Sequence, residues 1–280
     1  MHVPIRGVLI DVSGTVHVGE NAIPGAAYAL DRLRASGIPF RFCTNTTQSS
    51  GDTLATKLKK LGLNVNRNEI FTPLLILEKD ALQEFEGIPQ SEPFNAVVVG
   101  LSPTNFNYTM KITSPSSLQL NKAFRLLVGT EAKSQPATLI AVHKAKYFAD
   151  GHDGKLSMGP GGFVEALEYS SGVKAHVVGK PEKAFFELAI QNMGLESPAA
   201  SDPSQQTKPS KGSSGIVMIG DDVEQDLGGG AAELGLIRYL VKTGKYRSND
   251  EGRDAFGGLD GTFSDFAAAV DHILAGQQKQ

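Results

Sequence analysis

Short apolar runs alternate with longer amphipathic stretches along this chain. Val8-Leu9-Ile10, Phe40-Arg41-Phe42-Cys43, Ala175-His176-Val177-Val178 and Ile216-Val217-Met218-Ile219 read as strands. Helical periodicity follows over residues 24–36, 48–61, 181–193, 223–234 and 263–274. Such alternation predicts an α/β fold, a doubly wound, Rossmann-like parallel sheet flanked by helices. The gap between the second and third of these strands is too long for a single crossover. It carries signals of its own: Ala96-Val97-Val98-Val99, residues 118–127, Leu139-Ile140-Ala141-Val142 and residues 163–169. Residues 74–178 are therefore expected to form an inserted α/β domain. The core is then discontinuous, 1–73 and 179–280, with hinges near Pro73 and Gly179. Residues 111–117 read as a surface loop. So do residues 196–215, rich in Ser and Pro, whose composition cannot bury enough apolar surface to offset its ordering entropy.

Each of the four runs ends in polar groups. Asp11 leads into Ser13-Gly14-Thr15, Cys43 into Thr44-Asn45, Val178 into Gly179-Lys180-Pro181, and Ile219 into Gly220-Asp221-Asp222 with Asp226 beyond. In open α/β sheets ligands bind outside the carboxyl ends of the strands, so this set can converge on one pocket. Each residue taken singly has a plainer alternative. Asp11 could cap its own turn, and Asp221 could stabilise a helix N-terminus. Thr44 and Asn45 could form an ordinary turn, with Thr46, Thr47 or Ser49 capping a helix that begins near Gln48. Two adjacent carboxylates exceed what capping needs. Lys180 precedes Pro181, a good first helical residue, where the helix dipole disfavours a cation. A residue that breaks a local rule is a functional candidate.

The ordered set Asp-x-Ser-Gly-Thr, Thr-Asn, Gly-Lys-Pro and Gly-Asp-Asp resembles the four motifs of the haloacid dehalogenase superfamily of phosphotransferases, over nearly the whole chain. The resemblance implies that the insertion is a capping domain and that the protein is a magnesium-dependent phosphatase. Asp11 would be the nucleophile, forming an aspartyl phosphate. A carboxylate oxygen of Asp11, the main-chain carbonyl of Ser13 and Asp221 would hold Mg2+. Lys180 would neutralise the phosphate and shield Asp11, while Ser13, Thr44 and Asn45 bind the phosphoryl group. Asp222 and Asp226 would orient waters or Lys180 from behind.

Ser13 departs from the superfamily's usual pattern, which has a second Asp there as general acid and base. Loss of such a group typically costs ~10²–10⁴-fold. Activity would then be weak on alkyl phosphates, or directed to phosphoramidates and pyrophosphate, whose leaving groups need less protonation. The rival reading is a regulatory protein on the same fold that binds a phosphorylated ligand and turns it over poorly.

At 280 residues, 40% hydrophobic and 20% charged, the chain can bury a sizeable core. The formal net charge of -3 offers no electrostatic case for nucleic acid or an anionic membrane. The expected partner is a small phosphorylated substrate, and exposed cap strands leave a homodimer open. The one cysteine, Cys43, excludes an intramolecular disulfide and reads as a small buried hydrophobe in a reducing compartment. No apolar run approaches the ~20 residues of a membrane helix, and the first residues lack a signal-peptide pattern, so a cytoplasmic protein is expected. Candidate cap residues over the site are His143, Lys144 and the Gly100-Leu101-Ser102-Pro103 turn. His143, at the end of an apolar strand, reads better as a satisfied structural histidine. Gly159-Pro160-Gly161-Gly162 reads as a turn into a helix.

Overall fold

Val8, Leu9 and Ile10 are fully buried, as a strand covered on both faces must be. The structure, a computed structural model, describes residues 3–45, 51–71, 96–100, 115–130, 137–149, 156–198 and 210–277. Its strands are β1 (Gly7–Ile10), β2 (His17–Val18), β3 (Asn21–Ala22), β4 (Phe40–Cys43), β5 (Ile70–Phe71), β6 (Ala96–Val99), β7 (Thr138–Ala141), β8 (Tyr147–Ala149), β9 (Leu156–Met158), β10 (His176–Val177), β11 (Ile216–Gly220), β12 (Ile237–Val241) and β13 (Gly261–Phe263). Its helices are α1 (Ala26–Ala35), α2 (Gly51–Lys60), α3 (Pro115–Leu127), α4 (Gly161–Ser171), α5 (Lys183–Asn192), α6 (Gly229–Glu233) and α7 (Phe266–Gln277).

Six strands form one parallel sheet in the order β13-β12-β11-β1-β4-β5. From β1 the chain steps outward through β4 and β5, then returns to β11 and steps outward through β12 and β13. The direction reverses between β1 and β11, where Val8 pairs with Val217 and Ile10 with Ile219. This is the switch point at which α/β sheets open a crevice. Strand alternation sends side chains to opposite layers. Val8, Ile10, Phe42 and Ile219 pack with Leu30 and Leu33 of α1 and Val270 and Ile273 of α7. Leu9, Cys43 and Met218 pack with Phe185, Phe186 and Ile190 of α5 and with Leu227. Burial pushes the Cys43 thiol up to about 12, so it behaves as the small hydrophobe expected.

A second, three-stranded parallel sheet, β10-β7-β6, has a core of its own. There Val97, Leu139 and Ala141 meet Leu126 and Leu127 of α3 and Val164 and Leu167 of α4. The α/β architecture with an inserted unit is thus observed. The run that leads to Lys180, part of the insertion expected at 74–178, forms β10, which pairs with β7 in the smaller sheet, while the other three runs lie side by side in the six-stranded one.

Helix boundaries also differ. Phe263, expected to open the last helix, ends β13, and α7 runs from Phe266 to Gln277. Residues 223–234 form turns and then the short α6 rather than one helix. Gly228, Gly229 and Gly230 interrupt it. Gly229 has φ +42° and a Cβ there would meet the Pro181 carbonyl at 2.8 Å, while a Cβ on Gly230 would lie 2.3 Å from Lys183 Cα, so these two glycines let the turn pack closely on the start of α5 and the residues before it. Helix α5 begins at Lys183 behind Glu182, which leaves Pro181 outside it. Pro115-Ser116-Ser117, expected as loop, opens α3, where a first-turn proline loses no hydrogen bond. Helix α4 begins at Gly161 behind Pro160, matching the expected turn. Residues 46–50, 72–95, 101–114 and 199–209 lie outside the described residues. With them go the cap role of Thr46, Thr47 and Ser49, the hinge at Pro73, the Leu101-Ser102-Pro103 turn and most of both expected loops. Among the described residues no helix is long and apolar enough to cross a membrane.

One buried ion pair ties the far edge of the main sheet. Arg238 on β12 donates to Asp254 Oδ1 at 2.7 Å and to the carbonyls of Leu227, Phe256 and Gly258, with both charged side chains 1% exposed. Arg238→Met would leave the Asp254 carboxylate and these carbonyls short of donors. Truncating one member of a buried pair costs about 3–5 kcal/mol, so a fall of that order in denaturant-derived stability is expected. An unchanged unfolding midpoint would show that water replaces the guanidinium without cost.

Candidate active site

Asp11 follows β1 and Asp221 follows β11, so two neighbouring strands set two carboxylates on opposite sides of the switch point. Asp226 joins them from the turn after β11. One carboxylate oxygen from each lies within 4.8 Å of the others, and all three residues are buried. Asp11, Lys180, Asp221 and Asp226, which the sequence pattern assigns to one pocket, do come together.

Lys180 stands between two of these acids. Its Nζ donates to Asp11 Oδ1 at 2.5 Å and to Asp226 Oδ1 at 2.6 Å, with 3% of the side chain exposed. Burial by itself would lower the ammonium, but the Asp11 and Asp226 carboxylates outweigh it and raise it above the ordinary lysine range. Asp226 also accepts the Asp222 N–H at 3.1 Å through Oδ2, so both of its oxygens are committed inside the protein. Its carboxyl is pushed up to about 6, first by burial and then by Asp11. The side chain of Asp222 does not reach Lys180. Its Oδ1 accepts the N–H groups of Glu224 and Gln225, both at 3.0 Å, and its Oδ2 meets Lys245 Nζ at 3.3 Å.

Asn45 is tied to the main chain of Lys180. Its Nδ2 donates to the Lys180 carbonyl and its Oδ1 accepts the Lys180 N–H, both at 2.9 Å. One amide hydrogen of Asn45 remains after this exchange. Thr44 is buried beside it, at the end of β4. Gly179 sits in the seam between the two units. A Cβ there would lie 2.4 Å from the Val142 carbonyl and 2.6 Å from Asn45 Oδ1, so the position excludes a side chain. Ser13 is exposed, in the loop that the Thr15 hydroxyl braces by donating to Asp11 Oδ2 at 3.3 Å.

Gly14 and Gly244 make room for Asp221. Gly14 has φ +100°, and a Cβ on it would come 1.8 Å from Asp221 Oδ2. A Cβ on Gly244, at φ +57°, would come within 2.1 Å of the same oxygen. Gly14→Ala therefore forces a non-glycine residue into a left-handed backbone and pushes the carboxylate aside. A loss of about 1–3 kcal/mol in stability is expected, together with a fall in activity. Thermal unfolding and turnover of the same preparation check it, and wild-type values in both would show that the loop relaxes freely.

Asp221 Oδ2 accepts the Lys245 N–H at 2.7 Å, while Oδ1 is buried with no hydrogen-bond partner. Burial, then the neighbouring Asp11 and Asp226 charges, raise this carboxyl well above the usual range. A buried carboxylate oxygen without a donor, beside a second carboxylate, is short of positive charge, and the donor set fits a hard divalent cation. Two groups not singled out from sequence enter here. Thr243 Oγ1 donates to the Gly14 carbonyl at 2.5 Å, and Lys245 holds Asp221 and Asp222. The available signal is their place directly after β12, next to the strand that delivers Asp221.

Of the cap candidates, His143 is buried and its Nδ1 accepts the Ala145 N–H at 3.3 Å. Burial, then the ammonium groups of Lys245 and Lys180, hold its imidazole down to about 3. It is neutral and structural, as its sequence position suggests. Lys144 is paired with Glu165 and Glu168 at 2.5 and 2.9 Å.

Two family models match the chain. A haloacid dehalogenase-like hydrolase model covers residues 8–87 and a HAD-hydrolase-like model covers residues 177–269. The chain is 42% identical to haloacid dehalogenase-like hydrolase domain-containing protein 2 of Homo sapiens, over 96% of each chain. It is 34% identical to phospholysine phosphohistidine inorganic pyrophosphate phosphatase of Xenopus laevis, over 98% of this chain and 96% of the other. The fold matches 4-nitrophenylphosphatase of Thermotoga maritima, with TM-score 0.72, 20% identity and coverage of 96% and 97%. It also matches NagD of E. coli K-12, with TM-score 0.71, 20% identity and coverage of 95% and 98%. The structural likenesses establish the fold. The two family models flank the second sheet, just as the six-stranded core does, and the full-length identities bridge the gap between them. On that agreement the chain belongs to the haloacid dehalogenase-like hydrolase family.

Proposed function

We propose that this protein is a magnesium-dependent phosphatase that works through an aspartyl phosphate on Asp11. The observation that carries this reading is the buried Asp11–Lys180–Asp226 bridge next to the partnerless Asp221 oxygen. A cation pressed against one oxygen of Asp11 aims that carboxylate and leaves the other oxygen, braced by Thr15, to attack phosphorus. Lys180 then neutralises part of the charge that builds on the phosphoryl oxygens. Asp226 holds Lys180 in place, and Asn45 fixes its main chain. The remaining amide hydrogen of Asn45, with Thr44 and the Ser13 loop, orients the phosphate. Asp11, the Ser13 carbonyl and Asp221 would hold Mg2+. When bound, the ion would offset the repulsion between the phosphate and the carboxylates and supply electrophilic charge to the phosphoryl group.

Ser13 offers no ionisable proton near neutral pH, so this position supplies no strong acid for an alkoxide leaving group. This favours phosphoramidate or pyrophosphate substrates. The name of the Xenopus laevis relative refers to phospholysine, phosphohistidine and inorganic pyrophosphate, which points the same way for this chain. Residues 74–178 serve as the cap in this reading, and the single buried thiol of Cys43 supports a cytoplasmic setting.

The test is phosphate release from acetyl phosphate, an aryl phosphate, pyrophosphate, phosphohistidine and a sugar phosphate, with and without Mg2+. Magnesium-dependent release is expected, with pyrophosphate or phosphohistidine ahead of the sugar phosphate. No magnesium-dependent release from any of them would sink the reading.

A further inference from the structure

Lys245 lies on the turn after β12, and its two donors go to two different acids. The main-chain N–H meets Asp221 Oδ2 at 2.7 Å and Nζ meets Asp222 Oδ2 at 3.3 Å. The side chain is 19% exposed, so its charge is poorly screened by solvent. Burial would lower the ammonium, yet Asp221, Asp222, Asp226 and Asp11 together raise it above the ordinary lysine range, and it in turn depresses the His143 imidazole. Its ammonium thus stands directly beside Asp222, on the residue whose main chain holds Asp221.

The charges can be counted. Asp11, Asp221, Asp222 and Asp226 are four carboxylates, and Lys180 and Lys245 are two ammonium groups, which leaves the cluster two positive charges short when all are ionised. A single divalent cation makes up that deficit. Without Lys245 the deficit is three. The side chain is not needed to hold its own loop, because the bond to Asp221 comes from the main chain and any residue there retains it. Asp222 is not left bare either, since the Glu224 and Gln225 N–H groups still donate to it.

We propose that Lys245 is an electrostatic positioning residue which acts in opposite senses on the two ligands of the site, weakening divalent-cation binding and strengthening phosphate binding. It thereby prevents the acids from trapping the cation so tightly that the phosphate is repelled. The proposal rests on the phosphatase reading above and extends it to a residue outside the four motif segments.

The experiment compares full-length wild type, Lys245→Met and Lys245→Arg at pH 8, where proton competition for the carboxylates is smallest. Mg2+ affinity is read from calorimetry and from the rise of the unfolding temperature with Mg2+. Phosphate affinity is read from competitive inhibition by inorganic phosphate at saturating Mg2+. For Lys245→Met, Mg2+ binding is expected to tighten about tenfold and inorganic phosphate binding to weaken about tenfold, the scale of one poorly screened charge at this range. KM should rise more than kcat falls, and Lys245→Arg should restore both affinities. If Mg2+ and phosphate binding weaken together, Lys245 is only a structural support and the proposal fails. It fails equally if neither affinity changes while wild type binds Mg2+ and hydrolyses substrate. Absence of Mg2+ binding and turnover in wild type would overturn the phosphatase reading itself, and this proposal with it.

Discussion

Asp11→Asn is expected to abolish magnesium-dependent phosphate release, by a factor on the order of 10⁴ or more, while inorganic phosphate still binds. Removing the nucleophile of a covalent mechanism has effects of at least this size. The amide has nearly the shape of the carboxylate, so the loop should keep its course. Its oxygen can still accept from Lys180, and Asp226 continues to hold that ammonium at 2.6 Å. What is lost is the negative oxygen that attacks phosphorus and the bond it would form. The measurement is single-turnover phosphate release beside phosphate affinity in both proteins. Equal low rates in wild type and variant would favour the rival reading, a protein that binds phosphorylated ligands without turning them over. Ser13 is the residue that keeps this rival in play.

Ser13→Asp should raise hydrolysis of alkyl phosphates by about 10²–10⁴-fold and change pyrophosphate hydrolysis little. The larger side chain has room, because Ser13 is exposed and the left-handed conformation of the loop belongs to Gly14. A carboxyl at this position can protonate a departing alkoxide and then take a proton from water. An alkoxide leaves as a strong base and needs that proton, whereas pyrophosphate loses a stabilised phosphate anion. The ratio of sugar phosphate to pyrophosphate turnover in the two proteins reads the effect directly. A ratio that does not move would mean that the serine is not what limits ester hydrolysis, and that proton transfer follows another route.

Much of the site is legible in the chain itself. Asp11, Thr44 and Asp221 each follow an apolar run, and strand ends are where a parallel sheet exposes polar groups. Sequence sets Asp222 and Asp226 behind the site, orienting waters or Lys180. Asp226 does meet that ammonium at 2.6 Å, whereas Asp222 meets Lys245. Sequence also overextends the helix at 223–234, where apolar periodicity outweighs three consecutive glycines. The close approach of Gly230 to Lys183 is a tertiary fact.

The sequence by itself determined the α/β class, the inserted unit and the order of the polar strand ends. Periods of two and 3.6 residues are written locally, in which side chains can be buried together. Only the tertiary structure decided that Lys180, which follows β10 of the smaller sheet, reaches Asp11 of the six-stranded one. It also decided that Asn45 locks the Lys180 main chain, and that Thr243 and Lys245 complete the surroundings of Asp221. Those contacts join residues from 24 to 229 positions apart. No local pattern encodes such pairs, because which strand lies beside which is settled by burial of the whole sheet.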